Sequence, residues 1–323
     1  MAELQNPVII IGAGICGLTL AHGLKQAGIP FEIYERDTDV DARGQGWAIT
    51  LHWVLPFLEK MLGPGVYRAL NDIQVDPDVG RNDTGNFLFI NLANGEVKFR
   101  IPPNSRRRVG REKMRRLLLE GVKEHVRWGK RLEDISVSVS EDSAVTAAFE
   151  DGSRATGSLL VGAEGSNSPT RKFLRPDAYQ TYQLPVRFVG VAVDLTAEEV
   201  RPLRELDPLL FQGSHPDTGT FLWVSTLEVP ATNGTAGTAD ERYRVQINLS
   251  WLVKEQSDEV ATTNAGKLCQ MKQKATGFTP ELLKVILDIP QDTPVTQIKL
   301  ADWPCVAWDN FGGKVTLVGD GKP

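Results

Sequence analysis

Gly12, Gly14 and Gly17, followed by Glu35, are the residues of this chain whose types and spacing point most directly to chemistry. Gly12 permits a tight turn, Gly14 lets a pyrophosphate approach the backbone without meeting a Cβ, and Gly17 lets a helix lie close on the strand before it. The N–H groups at the start of that helix have no partners within it, so they face an anion. Glu35 stands about 20 residues beyond the glycines, where a carboxylate accepts hydrogen bonds from ribose hydroxyls. Together these residues support binding of an adenine dinucleotide, without choosing between NAD(P) and FAD. The alternative is a glycine-rich packing turn with a solvated Glu35. It gives no reason for strand, turn, helix, strand and acid to follow in that order.

The elements that must position these residues are legible around them. Val8, Ile9, Ile10 and Ile11 form a continuous apolar run of the kind found in a strand buried on both faces. Leu18, Leu20, Ala21 and Leu24 keep helical spacing until Gly28-Ile29-Pro30, and residues 31–34 read as a second strand that ends at Glu35. Gly44 and Gly46 follow in a polar loop, where either close backbone approach to a ligand or a plain flexible turn accounts for them. Residues 53–62 have helical spacing and stop at Gly63-Pro64-Gly65, and residues 86–99 alternate about an Asn94-Gly95 turn as a β-hairpin.

Residues 109–122 read as a helix with the apolar stripe Met114, Leu117, Leu118 and Val122. Arg111 counts back onto the same side. A guanidinium there either meets a cofactor phosphate or flavin edge, or packs its stem and sends its head to water. Arg106, Arg107, Arg108, Arg115 and Arg116 read as a solvated face. A second hairpin is predicted over residues 135–149, then a strand running into the turn Gly162-Ala163-Glu164-Gly165. Residues 186–193, 221–227 and 243–251 read as strands of a mainly antiparallel sheet, followed by helices over 264–276 and 279–287. A last strand, Val315 to Val318, leads into Gly319-Asp320. Phe211, Phe221, Trp223 and Trp251 either line an apolar pocket or are plain core.

The chain has 323 residues, 41% of them hydrophobic and 24% charged, enough for a sizeable core in two domains or one large one. A net charge of -5 provides no overall positive field for nucleic acid. Cys16, Cys269 and Cys305 are widely spaced and lack C-x-x-C spacing, which points to reduced thiols and a cytoplasmic setting. Cys16 at a helix start is either an activated thiol or a small residue tolerated between glycines. His22, His52, His125 and His215 form no ligand-spaced pair, so no metal is expected. No signal peptide or membrane span is read.

Three ordered stretches carry a family resemblance. Gly12-Ala-Gly-Ile-Cys-Gly17 with Glu35, Leu160-Val-Gly-Ala-Glu-Gly165 with Ser168 and Arg171, and Val315-Thr-Leu-Val-Gly-Asp320 resemble the motifs of the single-component FAD-dependent aromatic hydroxylases and related fungal monooxygenases, typified by p-hydroxybenzoate hydroxylase. Val109-Gly-Arg111 through Leu118 resembles their arginine-bearing helix. The resemblance implies an α/β fold, a Rossmann-like FAD-binding domain with an inserted, mainly antiparallel sheet domain for substrate. It divides the chain into residues 1–75, 105–178 and 290–323 for FAD, and 76–104 and 179–289 for substrate.

By the same resemblance, Gly12, Gly14 and Gly17 bind the pyrophosphate and Glu35 the adenosine ribose. Gly46 and Arg111 lie against the cofactor, Glu164 stands where the family has Asp, and Asp320 holds the ribityl or phosphate region. The implied activity is hydroxylation or epoxidation of a small apolar or aromatic substrate with NAD(P)H and O2 through a flavin C4a-hydroperoxide. No protein nucleophile is required, so no catalytic residue is assigned; His52 reads as a surface or capping residue. The family continues past its Gly-Asp motif into a helix at the flavin ring. The sequence here stops at Pro323, and the expectation is a truncated chain that holds FAD poorly. The alternatives are a non-catalytic FAD-binding protein and another flavin oxidoreductase, although the Trp-x-Trp-x-Ile stretch of flavin halogenases is absent.

Overall fold

Two large sheets of different kind organise the computed structural model, which describes residues 6–42, 47–82, 87–102, 105–138, 144–304 and 306–321. The first is parallel throughout, in the order β17 (Val315–Leu317), β11 (Leu159–Gly162), β1 (Val8–Ile11), β2 (Phe31–Tyr34) and β7 (Val126–Arg127). β1 is central and all four of its residues are buried. Val8 and Ile10 pack with Leu18 and Ala21 of α1 (Ile15–Gln26) and with Met114 and Leu118 of α4 (Arg111–Glu120). Ile9 and Ile11 pack on the opposite face against Val145, Ala147 and Phe149. Those residues belong to β9 (Val145–Phe149), the middle strand between β8 (Leu132–Val137) and β10 (Arg154–Gly157). Burial on both faces explains why β1 is apolar without alternation.

The second sheet has seven strands in the order β16 (Thr296–Asp302), β12 (Tyr182–Leu195), β15 (Tyr243–Leu252), β14 (Phe221–Glu228), β13 (Leu210–Ser214), β4 (Phe87–Asn91) and β5 (Val97–Ile101). Every neighbouring pair is antiparallel except β13 with β4. Its residues alternate. Val189, Val191, Leu222, Val224, Val245, Ile247 and Leu249 face a core closed by α6 (Ala197–Leu206), α8 (Asn264–Lys274) and α9 (Pro280–Leu287). The residues between them make an inner face that turns toward β3 (Ala48–Leu51) and β6 (Arg107–Gly110), a two-stranded antiparallel sheet.

Several expectations need correction. The predicted helix over 109–122 begins only at Arg111, because Arg107 to Gly110 pair with β3 as a strand. The helix expected to stop at Gly63 resumes: α2 (Leu55–Ala69) breaks at Gly63, which has φ 72°, and Pro64 then opens a further helical stretch, a position where proline loses no hydrogen bond. Residues 296–302, within the 290–323 segment that the resemblance assigns to FAD, form β16, hydrogen-bonded into the seven-stranded sheet. The Gly44–Gly46 loop, the 139–143 connection and Cys305 lie outside the described residues.

The arginines expected on a solvated face divide. Arg106 is buried and holds Asp207 through its Nη2 atom at 3.1 Å from each carboxylate oxygen. Arg108, also buried, donates to Thr226 O at 2.9 Å, Thr50 Oγ1 at 2.8 Å and Ser225 Oγ at 2.7 Å. Burial, and then the charge of Arg106, push the Arg108 guanidinium down to about 9, so it remains a cation at neutral pH. Arg115 is buried too, while Arg107 is half-buried and Arg116 exposed. The buried heads replace water with backbone carbonyls, hydroxyls and two carboxylates, Asp207 at Arg106 and Asp37 at Arg115, which is the condition for holding a charge inside.

Candidate cofactor and substrate sites

β1 delivers the chain to Gly12, whose φ of 110° is the left-handed side that glycine tolerates. A Cβ on Gly12 would stand 2.7 Å from Ala163 O, and one on Gly17 would stand 2.0 Å from Gly12 O. Turn, helix and β11 are therefore in backbone contact, which no other residue type allows. Gly14 differs: nothing lies within 4 Å of the position its Cβ would take. It is the N-cap of α1 in extended conformation, with no side-chain cap and no acidic residue in the first turn. The helix start thus presents N–H groups and positive dipole to an open cradle.

Glu35 follows β2 and is buried, with 3% of its surface exposed. Ala13 N donates to its Oε2 at 2.7 Å and Asp37 N to its Oε1 at 3.1 Å. The carboxylate braces the glycine turn from the side, and a carboxylate has further acceptor positions for hydroxyls. Arg115, missed in the sequence, holds the same turn from below, donating to Ala13 O at 2.9 Å and Val40 O at 3.1 Å. The buried stripe of α4 comprises Met114, Arg115, Leu118 and Leu119. Reading the helix as wide enough to meet two neighbours would have included the arginine.

The Gly-Asp turn after β17 arrives at the same place, since a Cβ on Gly319 would stand 2.7 Å from Cys16 Sγ. The Cys16 thiol is pushed up from its ordinary value by desolvation and the Asp320 carboxylate, against the pull of Arg111. This speaks for the small-residue reading of Cys16 over an activated thiol. It also puts Arg111 and Asp320, both exposed, within electrostatic reach of the first turn of α1. Arg111, for which the stripe position left open a cofactor contact or a head in water, is exposed. It is the first residue of α4, its N–H donates to Trp47 O at 3.1 Å, and its head is free of the interior.

Glu164 lies beside Gly12, but its carboxylate faces the start of α5 (Pro169–Leu174), accepting from Ser168 Oγ at 2.8 Å, Thr170 N at 3.1 Å and Thr170 Oγ1. Burial nevertheless pushes the carboxyl above its ordinary value. Gly46 lies outside the described residues.

A cavity of about 260 Å³ opens beside Gly12 and Glu35, lined also by Arg36, Lys130, Arg131 and Lys172. A second, of about 460 Å³, lies between α4 and the inner face of the seven-stranded sheet, where Trp47 meets Gly190 and Ala192. These residues fit an adenine dinucleotide: the Gly14 cradle is one that a Cβ would fill, a helix start faces it without a cap, and a buried carboxylate stands beside it. Arg111→Ala is accordingly expected to weaken FAD binding about tenfold, about 1.4 kcal/mol. Arg107→Ala, whose head stacks on Tyr67, should leave binding unchanged. Flavin titration of the two variants checks this, and equal effects would make Arg111 an ordinary surface charge.

His52 is half-buried and stacks with Trp53, its ring 5.7 Å from the indole. Phe211 and Trp251 belong to the core of the sheet, whereas Trp223 is on its inner face beside Phe87. Among the described residues no helix is long and apolar enough to cross a membrane.

A family profile described as an FAD binding domain matches residues 5–285. The FAD-dependent monooxygenase dbaB of Emericella nidulans is 45% identical over 316 residues, covering 97% of this chain and 79% of that protein. Among solved structures, 2,6-dihydroxypyridine-3-hydroxylase from Arthrobacter nicotinovorans superposes with a TM-score of 0.71 at 20% identity, covering 99% of this chain and 78% of that one. Klebsiella pneumoniae HpxO, solved with FAD and uric acid, superposes with a TM-score of 0.68 at 20% identity, covering 99% of this chain and 74% of that one.

Proposed function

This chain belongs to the family of FAD-dependent monooxygenases and is an FAD-binding oxidoreductase, and we propose that it uses NAD(P)H and O2 to hydroxylate or epoxidise a small organic molecule. Bound FAD supplies the electron transfer and oxygen activation. The protein binds and orients. In this reading Gly12, Gly14 and Gly17 admit the pyrophosphate, the α1 N-terminus and Arg111 balance its charge, and Glu35 accepts the ribose hydroxyls. Asp320 holds the middle of the cofactor. The cavity beside Glu35, which Glu164 also lines, takes the adenosine end.

The substrate occupies the enclosure between α4 and the inner sheet face. Its volume of about 460 Å³ suits a molecule of one or two rings. Trp47, Gly190 and Ala192 line it beside the charged Glu112, Lys113, Arg116, Glu228 and Arg244, and exclusion of water by a bound substrate favours oxygen transfer over wasteful release of peroxide. The observation that supports the reading most strongly is the hydrogen bond from Ala13 N to Glu35 beside the open Gly14 cradle.

The test is NAD(P)H oxidation by the FAD-loaded chain under ¹⁸O2 with a panel of phenols and aryl ketones. Stimulated oxidation with one ¹⁸O atom in the product is expected. NAD(P)H consumption without label in any product would mean a different flavin oxidoreductase, and FAD binding without oxidation a non-catalytic protein.

A further inference from the structure

We infer that Arg108, a buried guanidinium behind the wall of the enclosure, favours reduced over oxidised FAD through its electric field; this rests on the reading of that enclosure as the substrate site.

Arg108 is 2% exposed, and its hydrogen bonds go to Thr226 O, Thr50 Oγ1 and Ser225 Oγ, all of them neutral groups. They solvate the charge without cancelling it. Two acids reach this part of the molecule and each holds another cation, Asp207 with Arg106 at 3.1 Å and Asp76 with Arg204 at 2.8 Å. Among the described residues no carboxylate forms an ion pair with Arg108. Burial and the Arg106 charge both push its guanidinium down, and it is still a cation at neutral pH.

The position of this charge gives it a use. Gly110 stands two residues beyond Arg108 on β6, Ala48 two residues before Thr50 on β3, and Leu227 directly after Thr226 on β14. Val75 N donates to Arg108 O at 2.9 Å. These four neighbours, Gly110, Ala48, Leu227 and Val75, line the enclosure. Two residues along a strand span about 7 Å, so Arg108 lies just behind that wall and not in it. The charges that line the enclosure itself are paired, Lys113 with Glu228 at 3.4 Å, Arg116 with Glu112 at 3.2 Å and Arg244 with Asp194 at 3.2 Å. Such pairs largely cancel at a distance, whereas Arg108 does not. Oxygen transfer requires the redox end of FAD to meet the substrate, so a charge beside the enclosure is a charge beside that end. A hydride from NAD(P)H brings two electrons and one proton, leaving FAD one unit more negative and the nicotinamide one unit more positive. A fixed cation in a water-poor interior stabilises that negative charge without contact and without reorienting. At an effective dielectric constant of about 20, a unit charge acting over about 10 Å changes an equilibrium about tenfold.

The experiment measures the midpoint potential of bound FAD, by equilibration with reference dyes, in the FAD-loaded parent and four variants. Arg108→Met is expected to disfavour the reduced form about tenfold, a fall of about 30 mV for a two-electron couple. Arg108→Lys keeps the charge and should stay close to the parent. Thr50→Asp leaves the arginine in place and sets a carboxylate beside it, so its potential should fall as in Arg108→Met. Ala192→Asp puts a charge in the enclosure itself and should also lower the potential. A merely structural arginine would cost melting temperature and FAD content in both Arg108 variants, while the potential of the FAD that remains would not move. An unchanged potential in Arg108→Met, or an equal fall in Arg108→Lys, would overturn the inference. Should Arg108→Met not fold, an unchanged potential in Thr50→Asp would do the same. If Ala192→Asp moves the potential and Arg108→Met does not, only the role of Arg108 fails; if neither moves it, the reading of the enclosure fails as well. Absence of FAD from the parent, seen in its absorbance, would remove the cofactor site and the inference together.

Discussion

Gly14→Ala is expected to leave the chain as stable as the parent and nearly devoid of FAD, whereas Gly17→Ala loses both cofactor and stability. The two glycines are three residues apart in one turn, yet their surroundings differ. A methyl on residue 14 meets nothing within 4 Å, and the backbone there, φ -81° and ψ 178°, suits alanine without strain. The methyl would project into the cradle and keep a pyrophosphate away from the helix start. A methyl on residue 17 would have to stand 2.0 Å from Gly12 O. The turn and helix must separate, at a cost of about 4 kcal/mol or more, in the exceptional range for single substitutions. Thermal melting and bound-flavin content measure both effects. A Gly14→Ala protein that keeps its full complement of FAD would show that the pyrophosphate does not approach there.

Glu35→Ala ranks next. The carboxylate receives Ala13 N and Asp37 N within the chain and, in the proposed complex, ribose hydroxyls as well. Each hydrogen bond to a charged group is worth about 1.5–3 kcal/mol. Loss of the ribose contacts together with the brace on the glycine turn should weaken FAD by about 3 kcal/mol or more, at least about a hundredfold. Glu35→Gln, which keeps one acceptor oxygen, should fall between alanine and the parent. Flavin titration gives the series, and unchanged affinity in Glu35→Ala with the fold intact would remove Glu35 from the site.

The parts of this architecture that were legible in the sequence are those set by local chemistry. Four apolar residues before Gly12, the helical spacing after Gly17 and the alternation along β12, β14 and β15 each follow from which faces are buried. What stayed hidden depends on tertiary partners. Nothing local distinguishes Arg106 and Arg108, with Asp207 and Thr226 waiting across the molecule, from Arg116 in water. Only Val109 and Gly110 of the strand at Arg107 to Gly110 read as the start of the helix after it, and the strand itself is hidden because its pairing with β3 is non-local. One omission had a signal: Thr196 and Glu199 form a capping box at the start of α6, and that helix was not anticipated. For the candidate site, the glycines and Glu35 were legible because backbone geometry demands their types. Arg115 was not, because the carbonyls it holds, at Ala13 and Val40, lie far from it in sequence.

The most direct test of the central claim is a crystal structure of this chain with FAD bound. The account predicts the pyrophosphate over Gly14 at the N-terminus of α1 and the adenosine ribose hydroxyls within hydrogen-bond distance of the Glu35 carboxylate. A dinucleotide bound away from the Gly12–Gly17 turn, with Glu35 still engaged only by backbone N–H groups, would contradict it.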